Sequence, residues 1–316
     1  MKFMFSLVIA GVLIQPVQAQ EFPSKPIRII VPTSPGGGSD VLARIFSPGL
    51  AKEVNQPVLV DNRPGGGGLS GMDFVAKAEP DGYILLMGAS NLASVRLFNR
   101  SVPFDPLTDL SSISALVEYG AALGSPVDAP WKNFGEMVAH ARANPGKLSY
   151  GHLGSGLGYL YTEMFKNQLK LDILPVAYKS GADYILATLR NEVQLSWPNL
   201  GNAISYAKSG RMKVLGVTGD KRAPELPDVP AFSELGIRNM DNSYFSLMGP
   251  GRLTKPLINR LYRYSWAAMN ALEVREASTK AGFLVLANKP EEMQKMLETQ
   301  SRTWAQAAKI AGIKPE

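Results

Sequence analysis

IRIIVPTSPGGGSDVLAR, Ile27 to Arg44, decides how the rest of the chain is read. A strand-like run, Ile27–Val31, stops at Pro-Thr-Ser-Pro and three consecutive glycines. Ser39 and Asp40 then open a stretch whose apolar residues recur at helical spacing. A buried strand, a glycine turn and a helix, in that order, begin an α/β unit. Three glycines loosen a chain, so they need a compensating use. Glycine lets the backbone come close to a ligand. A helix N-terminus presents unpaired N–H groups and partial positive charge. Together they make a site for a carboxylate or phosphate that requires no lysine. Ser39 or Asp40 can also cap the helix.

The same unit repeats downstream. Val41–Val54 predicts a helix, Pro57–Asp61 a strand, Leu69–Ala78 a helix and Tyr83–Met87 a strand. That βαβαβ order predicts a parallel sheet covered by helices. Ile113–Leu123 reads as one long strand carrying the chain into a second lobe. From Asn133 to Val217, helices and short strands alternate again, with Val193–Trp197 among the strands. Thr218–Gly236, with three prolines, reads as an extended return. The C-terminal part is too small for a sheet of its own and completes the first lobe. The expected architecture is α/β, with two lobes, each a mostly parallel sheet flanked by helices. Residues 20–120 plus 232–316 form lobe 1, and residues 121–231 are inserted as lobe 2. Such sheets bind ligands at the carboxyl ends of their strands, and clefts between lobes are favoured sites.

Lys2, the apolar run Phe3–Ile14 and the small residues Val17 and Ala19 read as a secretory signal peptide cleaved after Ala19. The run is shorter than the roughly 20 residues a membrane span needs. The remaining 297 residues have ample apolar content for a core, given 45% hydrophobic residues overall. The absence of cysteine excludes disulfides, a thiol nucleophile and cysteine-based metal or iron–sulfur sites. The net charge of +6 comes from scattered residues without a Lys/Arg run. It reads as a solvated surface, with no nucleic-acid partner expected.

Three glycine loops stand at strand-to-helix junctions: Thr33–Asp40, Pro64–Gly71 and Gly151–Gly158. Within the second, Gly66 to Gly71 satisfies G-x-G-x-x-G, but Asn62–Gly65 separate it from the strand. The next strand ends Leu86-Met87-Gly88, with no acid for a ribose, so a dinucleotide cofactor is not expected. Of the two histidines, His140 reads as a surface residue. His152, in the third loop, reads as a ligand contact or a bystander. No hydrolase elbow, P-loop or metalloprotease motif occurs, and no spacing pairs two carboxylates as acid and base. Neither an enzyme, nor a cofactor, nor a metal is expected.

Several segments carry a more specific signal. They are PIRIIVPTSPGGGSDVLAR, VLVDNRPGGGGLSGMDFVAKAEPDGYILLMG (Val58–Gly88), VPFDPLTDL (Val102–Leu110), NPGKLSYG (Asn144–Gly151), GVTGDKRAPELPDVPAFSELG (Gly216–Gly236) and GPGRLTKPLINRL (Gly249–Leu261). In this order the chain resembles the Bug, or TctC-like, family of periplasmic solute-binding receptors of tripartite tricarboxylate transporter systems. The resemblance covers essentially the whole chain after Ala19. It implies a Venus-flytrap fold closing on a small carboxylate. It carries ligand contacts onto Thr33, Ser34, Gly37, Gly38, Ser39 and Asp40 in lobe 1, with Ser90 and Asn91 on the same edge. In lobe 2 it points to Gly154, Ser155, Gly156 and Leu157, and to Tyr178, Ser180, Gly181 and Asp183.

The departures from the family pattern fall on the ligand loops. Thr33 stands where the family has an aromatic residue, and Tyr159 and its neighbours include no histidine. Arg96 lies where an asparagine-proline pair is usual; it reads as a surface arginine, or as a charge for an acidic ligand. The resemblance implies a monomeric periplasmic receptor that delivers a small carboxylate to membrane transporter subunits. Two other readings stay open: an exported enzyme acting on an anionic substrate through His152 or Asp183, and an orphan or sensor receptor for a neutral or amide ligand.

Overall fold

The computed structural model describes residues 22–99, 101–152, 156–310 and 312. The signal-peptide segment lies outside them. The chain opens with β1 (Ile27–Val31), α1 (Gly38–Val54), β2 (Val58–Asn62), α2 (Leu69–Ala76), β3 (Ile84–Ala89), a short α3 (Val95–Phe98) and β4 (Leu110–Tyr119). The second set is β5 (Ala122–Pro126), α4 (Phe134–Ala143), β6 (Leu148–His152), α5 (Leu157–Leu169), β7 (Ile173–Ala177), α6 (Gly181–Leu189), α7 (Leu200–Lys208) and β8 (Met212–Val217). The chain then returns through β9 (Ser243–Pro250), α8 (Lys255–Asn270), α9 (Leu272–Lys280), β10 (Leu284–Val285) and α10 (Pro290–Ile310).

The first and last sets share one six-stranded sheet, ordered β10-β4-β9-β3-β1-β2. β1 lies parallel between β2 and β3, as the βαβαβ pattern predicts. The rest of the sheet corrects the mostly parallel expectation. β9 enters between β3 and β4 and runs antiparallel to both, and β10 is antiparallel to β4. The C-terminal part does complete this sheet, but it does so from the opposite direction.

Apart from Arg28, which pairs with Asp61, β1 is apolar because both of its faces are covered. Ile27, Ile29 and Val31 pack with Leu42, Phe46 and Leu50 of α1 and with Leu261 and Met269 of α8. Ile30 belongs to the opposite layer, with Met72 and Val75 of α2 and Met293, Leu297 and Trp304 of α10. Each such side chain contributes about 1.5–3 kcal/mol when fully buried. Asn55 ends α1 in the left-handed region at φ 49°.

The second set forms a patchwork sheet. β6 pairs parallel with β7, and β5 antiparallel with β8. Leu195 bridges to Tyr150 and Ser196 to Gly124, joining the two pairs. The stretch expected as the strand Val193–Trp197 therefore occupies a strand's place through bridges alone. Both Gln194 and Leu195 donate to the Ser149 carbonyl, which breaks the ladder.

The run expected as one strand, Ile113–Leu123, is two strands in different sheets. Gly120 and Ala121 are the crossing, and the Gly120 carbonyl accepts from the Leu200 N–H at 2.8 Å. The return segment stays on the second set beyond Ala231. Phe232 packs on Phe134 and Trp197, and Tyr161 Oη donates to the Asp241 carbonyl at 2.5 Å. The crossings are tied together by side chains. The Ala121 N–H donates to Thr218 Oγ1 at 2.8 Å, and Thr218 Oγ1 donates to Asn242 Oδ1 at 2.8 Å. Asn242 Nδ2 in turn donates to Glu118 Oε1. The apolar layer under α10 continues into the second set through Tyr161, Phe165, Trp197 and Phe232.

Candidate functional site

The glycine loop after β1 is held from beneath by a buried carboxylate. Asp40 is 3% exposed and sits in the first turn of α1. Its Oδ2 accepts from the Gly36 N–H at 2.9 Å and from Arg44 Nε at 3.0 Å. Its Oδ1 accepts from Asn62 Nδ2 at 2.9 Å. Asn62 also donates to the Thr33 carbonyl at 3.1 Å, and Thr33 Oγ1 lies 2.7 Å from Ser39 Oγ. Burial alone would raise the Asp40 carboxyl's pKa. The hydrogen bonds from Arg44, Gly36 and Asn62, with the Arg44 charge, outweigh burial and hold it below the ordinary aspartate value.

Two of the three glycines have distinct physical reasons. Gly36 sits at φ +85°, where a side chain is strained. A Cβ on Gly38 would come within 3.0 Å of the Phe245 ring. Gly37 needs neither condition; it begins the helix from extended backbone at φ −73°. Thr33 and Ser34 are exposed on the outer side of the loop.

The helices after the three glycine loops start on a residue that has no side chain to cap them; α3, α8 and α9 also receive no side-chain cap. α1, α2 and α5 start on Gly37, Gly68 and Gly156, and none receives a side-chain cap. α4, α6 and α7 start on Asn133, Ser180 and Asn199, each accepting from a first-turn N–H. The first-turn N–H groups of a helix have no intrahelical partner. At α1 and α5 no side-chain cap takes them and they suit an anion, whereas in α2 the Leu69 and Ser70 N–H groups donate to the Gly66 and Gly65 carbonyls. Nothing chemically stronger is assembled nearby: among the described residues, no cluster of three His, Cys, Asp or Glu could hold a metal ion.

The expected site residues divide by what they touch. Ser90 Oγ accepts from the Tyr244 N–H at 2.7 Å and donates to its carbonyl at 3.2 Å, extending the β3–β9 contact. Asn91 Nδ2 donates to the Gly67 carbonyl at 3.4 Å, bringing the first lobe's other glycine loop into the same edge. Asn91 Oδ1 is buried and makes no hydrogen bond with the described residues. Tyr178 continues the β6–β7 ladder, its N–H donating to the His152 carbonyl at 2.8 Å. Ser180 Oγ accepts from the Asp183 N–H at 3.2 Å, so this pair caps α6. Gly181 is the first residue of α6, and Gly156 and Leu157 open α5, both half-exposed. Gly154 and Ser155 lie outside the described residues.

Neither arginine near the loops is free. Arg44 is held by Asp40 and Asn62, and Arg96 Nη1 pairs with Asp105 at 2.6 Å. His152, at the end of β6, is 8% exposed. Burial lowers its pKa, the Glu163 charge raises it and the Lys166 charge lowers it, with a net shift downward. Two open hollows of about 520 and 420 Å3 lie on α8, lined by Arg260, Arg263 and neighbouring residues. Neither involves a glycine loop.

Sequence reasoning missed Asn62, although it quoted the N-R-P motif that contains it. Its long-range partners, 22 and 29 residues away, leave no trace in local periodicity. It also missed Tyr244, whose contribution at this edge is backbone and so independent of side-chain type.

Comparison with known proteins agrees with this architecture. The model of the tripartite tricarboxylate transporter family receptor matches residues 42–313. The fold superposes on the periplasmic binding protein BugD with a TM-score of 0.83, at 27% identity over 93% of this chain and 100% of that one. A protein of R. palustris solved with adipate gives a TM-score of 0.85, at 27% identity over 94% and 100% of the two chains. MatC from Rhodopseudomonas palustris, with bound malate, gives 0.81 at 25% identity over 90% and 99%. No helix among the described residues is long and apolar enough to cross a membrane. The fold is the α/β periplasmic binding protein fold, and the chain belongs to the tripartite tricarboxylate transporter receptor family, a family of binding proteins rather than enzymes.

Proposed function

We propose that this chain is a periplasmic receptor that captures a small carboxylate between its lobes and presents it to membrane transporter subunits. The observation that carries the reading is the set of glycine-started helices, α1 and α5 above all. Each ends a strand-to-helix loop in a different lobe, and each leaves its first-turn N–H groups uncapped. Relatives solved with adipate and with malate support the ligand class.

In this reading Thr33, Ser34, Gly37, Gly38 and Ser39 hold one end of the ligand. Gly154, Ser155, Gly156, Leu157, Tyr178 and Gly181 hold the other. Asp40, Ser90, Asn91, Ser180 and Asp183 fix the loops rather than touch the charge. Hydrogen bonds to a carboxylate contribute about 1.5–3 kcal/mol each. Several of them suffice for a micromolar complex at about −8 kcal/mol. The lobes close by rotation about the crossings at Gly120–Ala121, Thr218 and Asn242, working as a hinge. A neutral or amide ligand is the second reading, because Asn91 Oδ1 is a buried acceptor that suits a ligand carrying a donor.

The test is the thermal stability of the chain from Gln20 against carboxylates, amides and nucleotides. A ligand at 100 times its Kd adds about 2.7 kcal/mol, a shift of several degrees for a chain of this size. A shift with adipate, malate or related acids alone is the expected result. A shift with amides alone replaces the carboxylate reading, and a shift with nucleotides alone overturns both.

A further inference from the structure

Beside the packing of α10 on α5, an aromatic pair joins the lobes away from the chain crossings. Phe98 ends α3 in the six-stranded lobe, and Tyr159 stands in the first turn of α5 in the other. Their rings meet edge to face, with centroids 5.7 Å apart and planes at 67°. Tyr159 is followed by His152 at 4.7 Å, and His152 by Tyr150 at 5.5 Å. Tyr150 is fully buried, and its hydroxyl donates to Glu163 Oε1 at 2.6 Å. Lys166 Nζ binds the same oxygen at 2.6 Å. Phe98 is anchored in its own lobe among Leu92 and Val95. A run of four rings therefore crosses from one lobe to the other and ends in a fixed polar cluster.

Each end of this run adjoins a candidate binding loop. Phe98 follows the Ser90–Asn91 turn through a single helical connection, and Tyr159 comes two residues after Leu157. A rotation about the crossings separates surfaces that lie off the rotation axis, so opening the cleft has to break or slide this contact. We propose that Tyr159 is a positioning residue of the binding site, whose ring, seated on Phe98, holds the lobes in their closed relation and fixes the start of α5 against lobe 1. This rests on the receptor reading for its purpose but not for its test. An edge-to-face aromatic pair of this geometry biases a two-state equilibrium by roughly three- to tenfold.

The sequence contains no cysteine, so paired spin labels can be placed without background. Glu79 and Lys208 are exposed, one in each lobe, and Glu79→Cys with Lys208→Cys reports the distance between them by pulsed electron paramagnetic resonance. The protein is unfolded and refolded first to remove any copurified ligand. Phe98→Leu and Tyr159→Leu are each expected to move the population three- to tenfold toward longer distances. The double variant is expected to match the single ones. Phe134→Leu removes aromatic contacts inside the second lobe and should lower stability without changing the distance. An unchanged distribution in Phe98→Leu and Tyr159→Leu overturns the proposal. So does an equal shift in Phe134→Leu. If Tyr159→Leu does not fold, Phe98→Leu carries the same test from the other lobe. No ligand is needed, so a failure here is separate from a failure of the carboxylate reading.

Discussion

The loop after β1 and the crossings between the lobes are both tied by amide and carboxyl side chains, but the ties run in different directions. Around the loop, Asp40, Asn62 and Arg44 bond to one another and to backbone inside one lobe. That fixes a half-site relative to its own sheet. At the crossings, Thr218, Asn242 and Glu118 bond from one chain passage to the next. That constrains how one half-site moves relative to the other without touching either. In the proposed reading, recognition and closure are thus built from separate residues, and mutations can separate them.

The largest expected effect comes from emptying the loop's foundation. Asp40→Ala removes the acceptor for Gly36, Asn62 and Arg44, and should cost about 2–3 kcal/mol and at least tenfold in ligand affinity. Loss of stability without loss of affinity, measured by denaturation and titration, would sink the half-site argument. pH sharpens the point. The Asp40 carboxyl is held below its ordinary value of 3.8. Its contribution is therefore present above that value and is lost as pH falls through the lower, folded value. Asp40→Asn should be less stable at neutral pH and should lack that part of the acid slope.

Asn242→Ala comes next. It breaks the tie between crossings at about 1–2 kcal/mol, and should alter affinity only through the balance of open and closed forms. Small-angle scattering of the ligand-free variant should give a broader molecule than the parent. An unchanged profile together with an unchanged affinity would show that the crossings are tied well enough without Asn242. The smallest effect separates neighbouring glycines. Gly36→Ala places a side chain at positive φ and should cost about 1 kcal/mol, whereas Gly37→Ala should stay within about 0.5 kcal/mol. Equal losses at the two positions would mean that the loop is held by something other than backbone conformation.

How much of this was legible depended on the range of the interaction. β1 has its predicted bounds, and α1, β2, α2 and β3 shift by one to three residues, because apolar periodicity is local. The glycine loops were recognisable for the same reason. The direction of β9 was not, since a buried strand reads alike in either orientation, and only its partners β3 and β4 settle the matter. The break at Gly120 was hidden inside an apolar run, because both strands it separates are buried. The bonds of Asp40 to Asn62 and Arg44, which make it a support of the loop, were not legible, because one of those partners lies on another strand. The Phe98–Tyr159 contact joins residues in different lobes, and no spacing announces it.

The apolar layer shared by the two lobes has a consequence for how the protein is made. α10 lies against α5 of one lobe and β4 of the other, with Met293, Leu297 and Trp304 fully buried there. Yet it follows both sheets in the chain. Until it arrives, each lobe carries an uncovered apolar face, the condition under which partly made chains associate wrongly. Synthesis must therefore run past both sheets before either lobe can be finished, and whatever guards the chain against aggregation has to stay with it until α10 docks.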